Sequence, residues 1–246
     1  MFSSSELMGK HGVKAVFSDR QGGVSEGMFS SLNLGEHLGD DAAHVAENLA
    51  TLCQQTSIPI PHQAEQVHGI EILYCQGAGK MHQSQADILI ATETQVTLAV
   101  RTADCLPILL ADIEAGVVAA VHAGWRGTVQ HVVGVAVDAM CDKGAKHERI
   151  LASLGPSIGR CCFEVSADIA ASLSQSCGAD VRSDKEGKVF ADLSKTNQYQ
   201  LRNKGLSASS IDVSQVCTYC NLQPHYFSYR RDCGKTGRQL AMVTLP

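Results

Sequence analysis

A chain of 246 residues is long enough to bury one substantial core, and it falls within the size of a single large α/β domain spanning residues 1–246. Hydrophobic residues make up 44% and charged residues 18%, the balance of an ordinary globular protein, and a formal net charge of -5 gives no general attraction to nucleic acid. The opening MFSSSELMGKHG lacks the apolar core of a signal peptide and no apolar run reaches membrane-spanning length, so a cytoplasmic, membrane-free location is expected. The ten cysteines are then read mostly as free, buried small hydrophobes rather than as a disulfide framework.

In chain order, Val13 to Ser18 alternates as a first strand and runs into the glycine-rich loop Asp19–Gly23. Ser25 to Asn33 is loop-like, and Asp40 to Gln55 reads as a helix with an acidic start. Gln66-Val-His-Gly69 is a turn, and Ala86–Ile90 and Val96–Val100 are further strands. The stretch from Arg101 to Thr128 organises the rest. Leu106–Ala111 and Gly116–Val121 are near-continuous apolar runs of strand length, suited to strands covered on both faces. Cys105 begins the first and His122 ends the second. The short connection Asp112–Ala115 implies an antiparallel hairpin that makes Cys105 and His122 neighbours.

Apolar positions 129, 132, 133, 136, 137 and 140 then follow a helical period, with Thr128 as the expected N-cap. In an α/β protein, function gathers where strands stop and helices begin, which is where His122 and Arg126 fall. Arg149–Leu154 is a strand, Gly155–Glu164 a glycine-and-proline loop, Val165–Ser176 and Asp192–Lys204 helices, and Gly205 a helix terminator. Ile211–Cys217, His225–Arg230 and Gln239–Leu245 read as closing strands of a mixed sheet.

Several motifs are weighed and set aside. Gly234-Lys-Thr236 lacks the upstream glycine of a phosphate-binding P-loop, since position 229 is tyrosine. Vicinal Cys161 and Cys162 invite a redox reading, but adjacent cysteines rarely bridge with good geometry, and packing is the preferred account. Cys217-Thr-Tyr-Cys220 has zinc-knuckle spacing, which Cys233 and His225 could complete, yet a second compact ligand pair is missing. The ten histidines contain no His-x-His pair, which counts against a copper-oxidase cluster, although one copper could occupy an imidazole/thiolate site in vitro. His68 alone reads as a structural histidine. Together, His68, Cys105 and His122 form a borderline-soft donor set suited to Zn²⁺, with a fourth position open to water or substrate. The same residues also suit Cys–His nucleophilic catalysis or plain structural roles, and spacing leaves these open.

SDRQGGVSEG with Leu32-Asn-Leu34, QVHG at 66–69, TADCLPILLAD from Thr102, VHAGWRG from Val121, GPSIGRCCFEV from Gly155, and FSYRRD with TGR near the end together carry a resemblance to the YfiH/laccase-domain family, described both as multicopper polyphenol oxidases and as purine nucleoside phosphorylases. It implies that His68, Cys105 and His122 are both metal ligands and the catalytic centre. It also implies a three-layer α/β/α fold with a mixed sheet, similar to cysteine hydrolases. The activity implied is phosphorolysis of adenosine, inosine and S-methyl-5′-thioadenosine, with adenosine deamination beside it. Such a reaction needs a held phosphate, for which Arg126 and either Arg230 or Arg231 are expected, with Asn33 as a substrate contact. A competing reading makes Cys105 the nucleophile of an amidohydrolase, in keeping with family members linked to peptidoglycan-precursor editing. A non-catalytic interaction module is a third reading, disfavoured by the convergence of polar groups.

Overall fold

Strands with apolar side chains on both faces must be covered on both, and the central strands of this chain meet that demand with a second sheet on one face and helices on the other. The computed structural model describes residues 1–221 and 226–245. A six-stranded mixed sheet has the order Ile211–Val213, Leu151–Leu154, Leu106–Asp112, Val117–Ala123, Ile88–Ala91, Ile72–Tyr74. Its inner pairings are antiparallel and its two outermost pairings parallel. A four-stranded antiparallel sheet has the order Phe2–Ser4, Lys14–Ser18, Gln239–Thr244, Thr97–Thr102.

Alternation along each strand shows how the sheets stack. Leu89, Leu109, Ala111, Val118 and Ala120 of the large sheet meet Ala15, Phe17, Leu98, Val100, Ala241 and Val243 of the small one. The opposite face of the large sheet, with Ile88, Ile90, Leu106, Ile108, Leu110, Ala119 and Val121, packs on the helix Val132–Cys141 and on Leu201 of the helix Leu193–Asn203. The opposite face of the small sheet, with Val16, Ala99, Leu240 and Met242, packs on Leu52 of the helix Ala42–Thr56 and on Leu32 and Leu34. The layers therefore run helix, sheet, sheet, helix. That is four, where the resemblance implied three. The mixed sheet is present as expected, but an apolar face is satisfied equally by a helix or by another sheet, and the strand at 97–102 joins the C-terminal strand instead of the sheet next in sequence.

Local signals explain most element ends. Asp41 caps the helix Ala42–Thr56 by accepting from the Ala43 N–H at 2.8 Å. Asp192 caps Leu193–Asn203 in the same way, and Gly205 follows that helix with φ +95°. Two expectations are corrected. Thr128 is not an N-cap, because the helix begins three residues earlier as Trp125–Val129 with Gly124 at its cap; the chain then passes through His131 at φ +62° into Val132–Cys141. Thr128 Oγ1 instead accepts from Asn197 Nδ2 at 3.1 Å. No strand forms over residues 226–230, because the N–H groups of Phe227 and Arg230 donate to the side chains of Gln239 and Asp104 rather than to a neighbouring strand. His225 lies outside the described residues.

Leu109 is fully buried between the two sheets. Leu109→Ala leaves a void there and is expected to destabilise the fold by about 2–5 kcal/mol, read as a lowered urea midpoint with an unchanged slope.

Candidate active site

The site is built around a buried carboxylate, Asp87, at the start of the strand Ile88–Ala91. Asp87 is wholly inaccessible and accepts four hydrogen bonds: from the N–H groups of Val67, His68 and Gly69 at 3.1, 3.0 and 2.7 Å, and from His122 Nδ1 at 2.6 Å. Burial pushes its carboxyl up, but the bonds from His122, Gly69 and Val67 outweigh that and hold it below the ordinary value. One side chain thus shapes the Gln66–Gly69 loop and fixes His122. The loop is pinned from the other side by Gln66, whose amide exchanges two 2.8 Å bonds with the Arg101 backbone in the small sheet.

With Nδ1 held by Asp87, His122 turns Nε2 toward Cys105. The hairpin expected from the sequence supplies the rest: Pro107 pairs with His122 and Leu106 with Ala123, which sets Cys105 and His122 side by side. Cys105 follows Asp104, a buried non-glycine residue at φ +86°. Asp104 is held in that conformation by Thr218 Oγ1 at 2.6 Å, Ser228 Oγ at 3.0 Å and the Arg230 N–H at 2.7 Å. His68, also left-handed at φ +62°, brings Nε2 to 3.8 Å from Cys105 Sγ, and its ring meets His122 edge-on at 4.8 Å. All three donor atoms lie within 4.8 Å of one another. A tetrahedral ion with metal–nitrogen and metal–sulfur bonds of ordinary zinc length spaces N and S by about 3.6 Å, so the donor set fits zinc in chemistry and in size.

The electrostatics follow from the contacts. Burial raises the Cys105 thiol, but the His122 charge and hydrogen bonds from both histidines more than reverse this, to about 6. Burial lowers His122, but the Cys105 thiolate and Asp87 bring it up to about 9. Without metal the pair is therefore thiolate and imidazolium at neutral pH. Its contribution to stability is lost as pH falls through about 6, where the thiolate protonates, and as pH rises through about 9, where the imidazolium deprotonates.

The three donors lie at one side of a cavity of about 800 Å³. Four arginines, Arg101, Arg126, Arg230 and Arg238, line it, together with Leu38, Phe163 and Tyr229. Arg126 is exposed, its guanidinium 4.4 Å from the centre of the Trp125 ring. Arg230 reaches the wall with Nη1 bonded to the Glu164 carbonyl at 2.9 Å. Arg231 does not line the cavity; its guanidinium is engaged by Asp232 and by the carbonyls of Thr218 and Tyr226. Asn33 is also away from the cavity surface. It is fully buried, and its amide bonds Gly35, Asp40 and the Arg238 N–H, so it positions Arg238 instead of meeting a ligand directly.

Sequence reasoning passed over Asp87, Asp104, Arg101 and Arg238. A lone aspartate opening an apolar strand was the available sign for Asp87, and adjacency to Cys105 was the sign for Asp104. Arg101 and Arg238 are half-buried: burial depresses both, Glu36 acts against that at Arg101, and the charge of Arg238 depresses Arg101 further. Such a wall favours a bound anion. A second histidine set, His62 and His82 with Cys75, borders this region. There His62 Nδ1 and His82 Nε2 stand at 2.8 Å, the length of a direct hydrogen bond between rings.

A cysteine between two histidines, one of them oriented by a buried aspartate, opens onto an arginine-lined cavity, the kind of concave polar site that enzymes use. Residues 14–246 match the family model described as multi-copper polyphenol oxidoreductase laccase, and the chain belongs to that family. Among its relatives, the Deinococcus radiodurans protein named purine nucleoside phosphorylase is 38% identical over 236 residues, covering 95% of this chain and 90% of the relative. A protein from an unknown prokaryotic organism named adenosine deaminase RL5 is 34% identical, covering 92% of each chain. The crystal structure of YlmD from Geobacillus stearothermophilus superposes with a TM-score of 0.85 at 33% identity, covering 95% of this chain and 92% of that one.

The ion pair can be read directly. In metal-free protein, alkylation of Cys105 by iodoacetamide, followed by mass spectrometry, is expected to rise with pH through an inflection at about 6, and His122→Ala should move that inflection upward toward the ordinary thiol value of 9.0. An inflection near the ordinary value in the unaltered protein would contradict the pairing.

Proposed function

We propose that this protein is a purine nucleoside phosphorylase acting on adenosine, inosine and S-methyl-5′-thioadenosine, with adenosine deamination as a second activity, at a zinc site of His68, Cys105 and His122. The observation that carries the reading is the conjunction of the three donors with a wall of arginines in one cavity. Relatives named for both activities support it.

Phosphorolysis forms a bond from a phosphate oxygen to C1′ of the ribose as the C1′–N9 bond breaks, with the electron pair leaving on the purine, which then takes a proton. Negative charge must be held on one side of the sugar while the base departs on the other. Arg101 and Arg238 bind and orient the phosphate, the partial burial of these two strengthening their charge-assisted bonds, and the exposed Arg126 and Arg230 assist toward the opening. Phe163, Tyr229 and Leu38 offer apolar faces to the base and keep water from the sugar. His68, Cys105 and His122 would hold the zinc ion, which would supply Lewis acidity there. Asp87 keeps His122 in the tautomer that presents Nε2, as the aspartate partners of metal-bound histidines do.

A second reading has its own observation. The depressed Cys105 thiol, His122 and Asp87 also form a nucleophile, base and orienting acid, the array of a thiol amidohydrolase. Release of free base from adenosine, assayed with and without phosphate and with and without a chelator, separates the two. The phosphorylase requires phosphate and loses activity with chelator or in Cys105→Ala. An amidohydrolase releases no base and is spared by the chelator. In the same assay, Arg238→Met should raise KM for phosphate by about 10–100-fold, the loss of a charge-assisted contact of roughly 1.5–3 kcal/mol, with little change in KM for nucleoside.

Gly124 supplies a structural check on the donor set. A Cβ there would stand 2.7 Å from His68 Cδ2 and 3.2 Å from Cys105 Sγ. Gly124→Ala should therefore displace His68 and weaken zinc binding by about tenfold or more in competition with a chromophoric chelator, while the thermal unfolding of metal-free protein barely moves.

A further inference from the structure

A second group of sulfur atoms lies in a different part of the molecule, where two loops leave the same end of a parallel strand pair. Leu154 is in register with Val213, and the chain beyond each strand continues in the same direction, joined by a bridge between Ser157 and Cys217 and by the Thr218 N–H bonding to the Ser157 carbonyl at 3.0 Å. This brings vicinal Cys161 and Cys162 onto the Cys217-x-x-Cys220 turn. The zinc knuckle thus has the second compact ligand pair that sequence spacing did not reveal, and it is Cys161 with Cys162; Cys233 takes no part.

The four Sγ atoms lie within 4.8 Å of one another, and Cys161 Sγ and Cys220 Sγ are 3.7 Å apart. A tetrahedral zinc tetrathiolate with bonds of about 2.3 Å has sulfur–sulfur edges of about 3.8 Å. The Cys217 sulfur receives N–H groups from Gly159, at 3.2 Å, and from Tyr219 and Cys220, the backbone arrangement that stabilises a metal-bound thiolate in a knuckle. Gly159 is open enough for this approach, since a Cβ on it would stand 3.2 Å from Cys217 Cβ and 3.3 Å from Cys161 Sγ.

We propose that Cys161, Cys162, Cys217 and Cys220 bind a zinc ion in a closed, structural site separate from the His68, Cys105 and His122 donors. Four protein ligands leave no open position, so the ion acts by holding the two loops together. Those loops matter to the cavity: Ile158 and Phe163 of the first line it, and Thr218 of the second bonds the Asp104 carboxylate that supports Cys105. The proposal stands independently of the reaction assigned to the cavity.

The test uses the full chain, reduced and re-equilibrated with zinc, carrying His68→Ala, His122→Ala and His82→Ala to disable the other two donor sets. One zinc ion per chain should remain after gel filtration. Exchange for cobalt should give the intense visible bands and near-ultraviolet charge transfer of tetrahedral thiolate coordination. Both signals should vanish when Cys217→Ser and Cys220→Ser are added. Cobalt spectra lacking thiolate charge transfer, or zinc retained after the cysteine substitutions, would overturn the site. To guard against variants that misfold, the unaltered protein is alkylated with and without a strong chelator. Exposed Cys161 and Cys220 should resist iodoacetamide until the chelator is added. Equal labelling in both conditions, or a disulfide among the four in freshly reduced, zinc-treated protein, refutes it.

Discussion

The Asp87 carboxylate holds this site together. A buried anion is costly unless every lone pair finds a donor, and here three consecutive backbone N–H groups and one imidazole supply them. The cost of burial becomes a constraint on shape: the Gln66–Gly69 loop can satisfy the carboxylate only by curling around it, which puts His68 into a left-handed conformation facing Cys105. The same carboxylate leaves His122 one free nitrogen, pointed at the same sulfur. Replacing one acceptor here disturbs two donors at once.

The sandwich explains why this happens at its particular edge. Asp87 and His122 belong to the large sheet, whereas Arg101 and Arg238 lie at the Cys105-facing end of the small one, beside residues paired across Thr97–Thr102 and Gln239–Thr244. Stacking the sheets brings a negatively polarised sulfur site and a positively charged wall into one cavity. The bonds from Gln66 to Arg101 tie the Gln66–Gly69 loop, which Asp87 holds from the other side, to the small sheet where it meets the ligand space. Core packing between the sheets and the geometry of the site are therefore one problem. A shift of one sheet on the other would separate the arginines from the donors.

Asp104 plays the corresponding part on the far side of Cys105. Its left-handed backbone is stabilised by bonds to Thr218, Ser228 and Arg230, residues more than a hundred positions away in sequence. Loops from the C-terminal third thus hold Cys105 in place, and Cys217 and Cys220 of the four-cysteine cluster flank Thr218 in one of them. Tertiary contacts between distant loops carry the strain that local sequence alone would relax.

Local chemistry was sufficient for much of this protein. The apolar runs at 106–111 and 116–121, separated by a short polar turn, specify an antiparallel hairpin because no other pairing satisfies so short a connection. That hairpin made neighbours of Cys105 and His122. Asp41, Asp192 and Gly205 fix helix ends through bonds within a few residues, and the motifs around His68 were enough to join it to the pair by resemblance. Other features were decided by tertiary structure. An apolar strand face does not record whether a helix or a sheet will cover it, so the fourth layer was invisible. Nothing local marks Arg101 and Arg238 until the sheets stack, Asn33 looked like a contact until its amide was spent inside, and Cys161 and Cys162 looked like packing until a parallel strand pair delivered them to Cys217 and Cys220. Sequence determines what can bond within a turn or a hairpin; which distant groups share a cavity depends on how the layers close, because that choice is made by burial of the whole surface and not by any one segment.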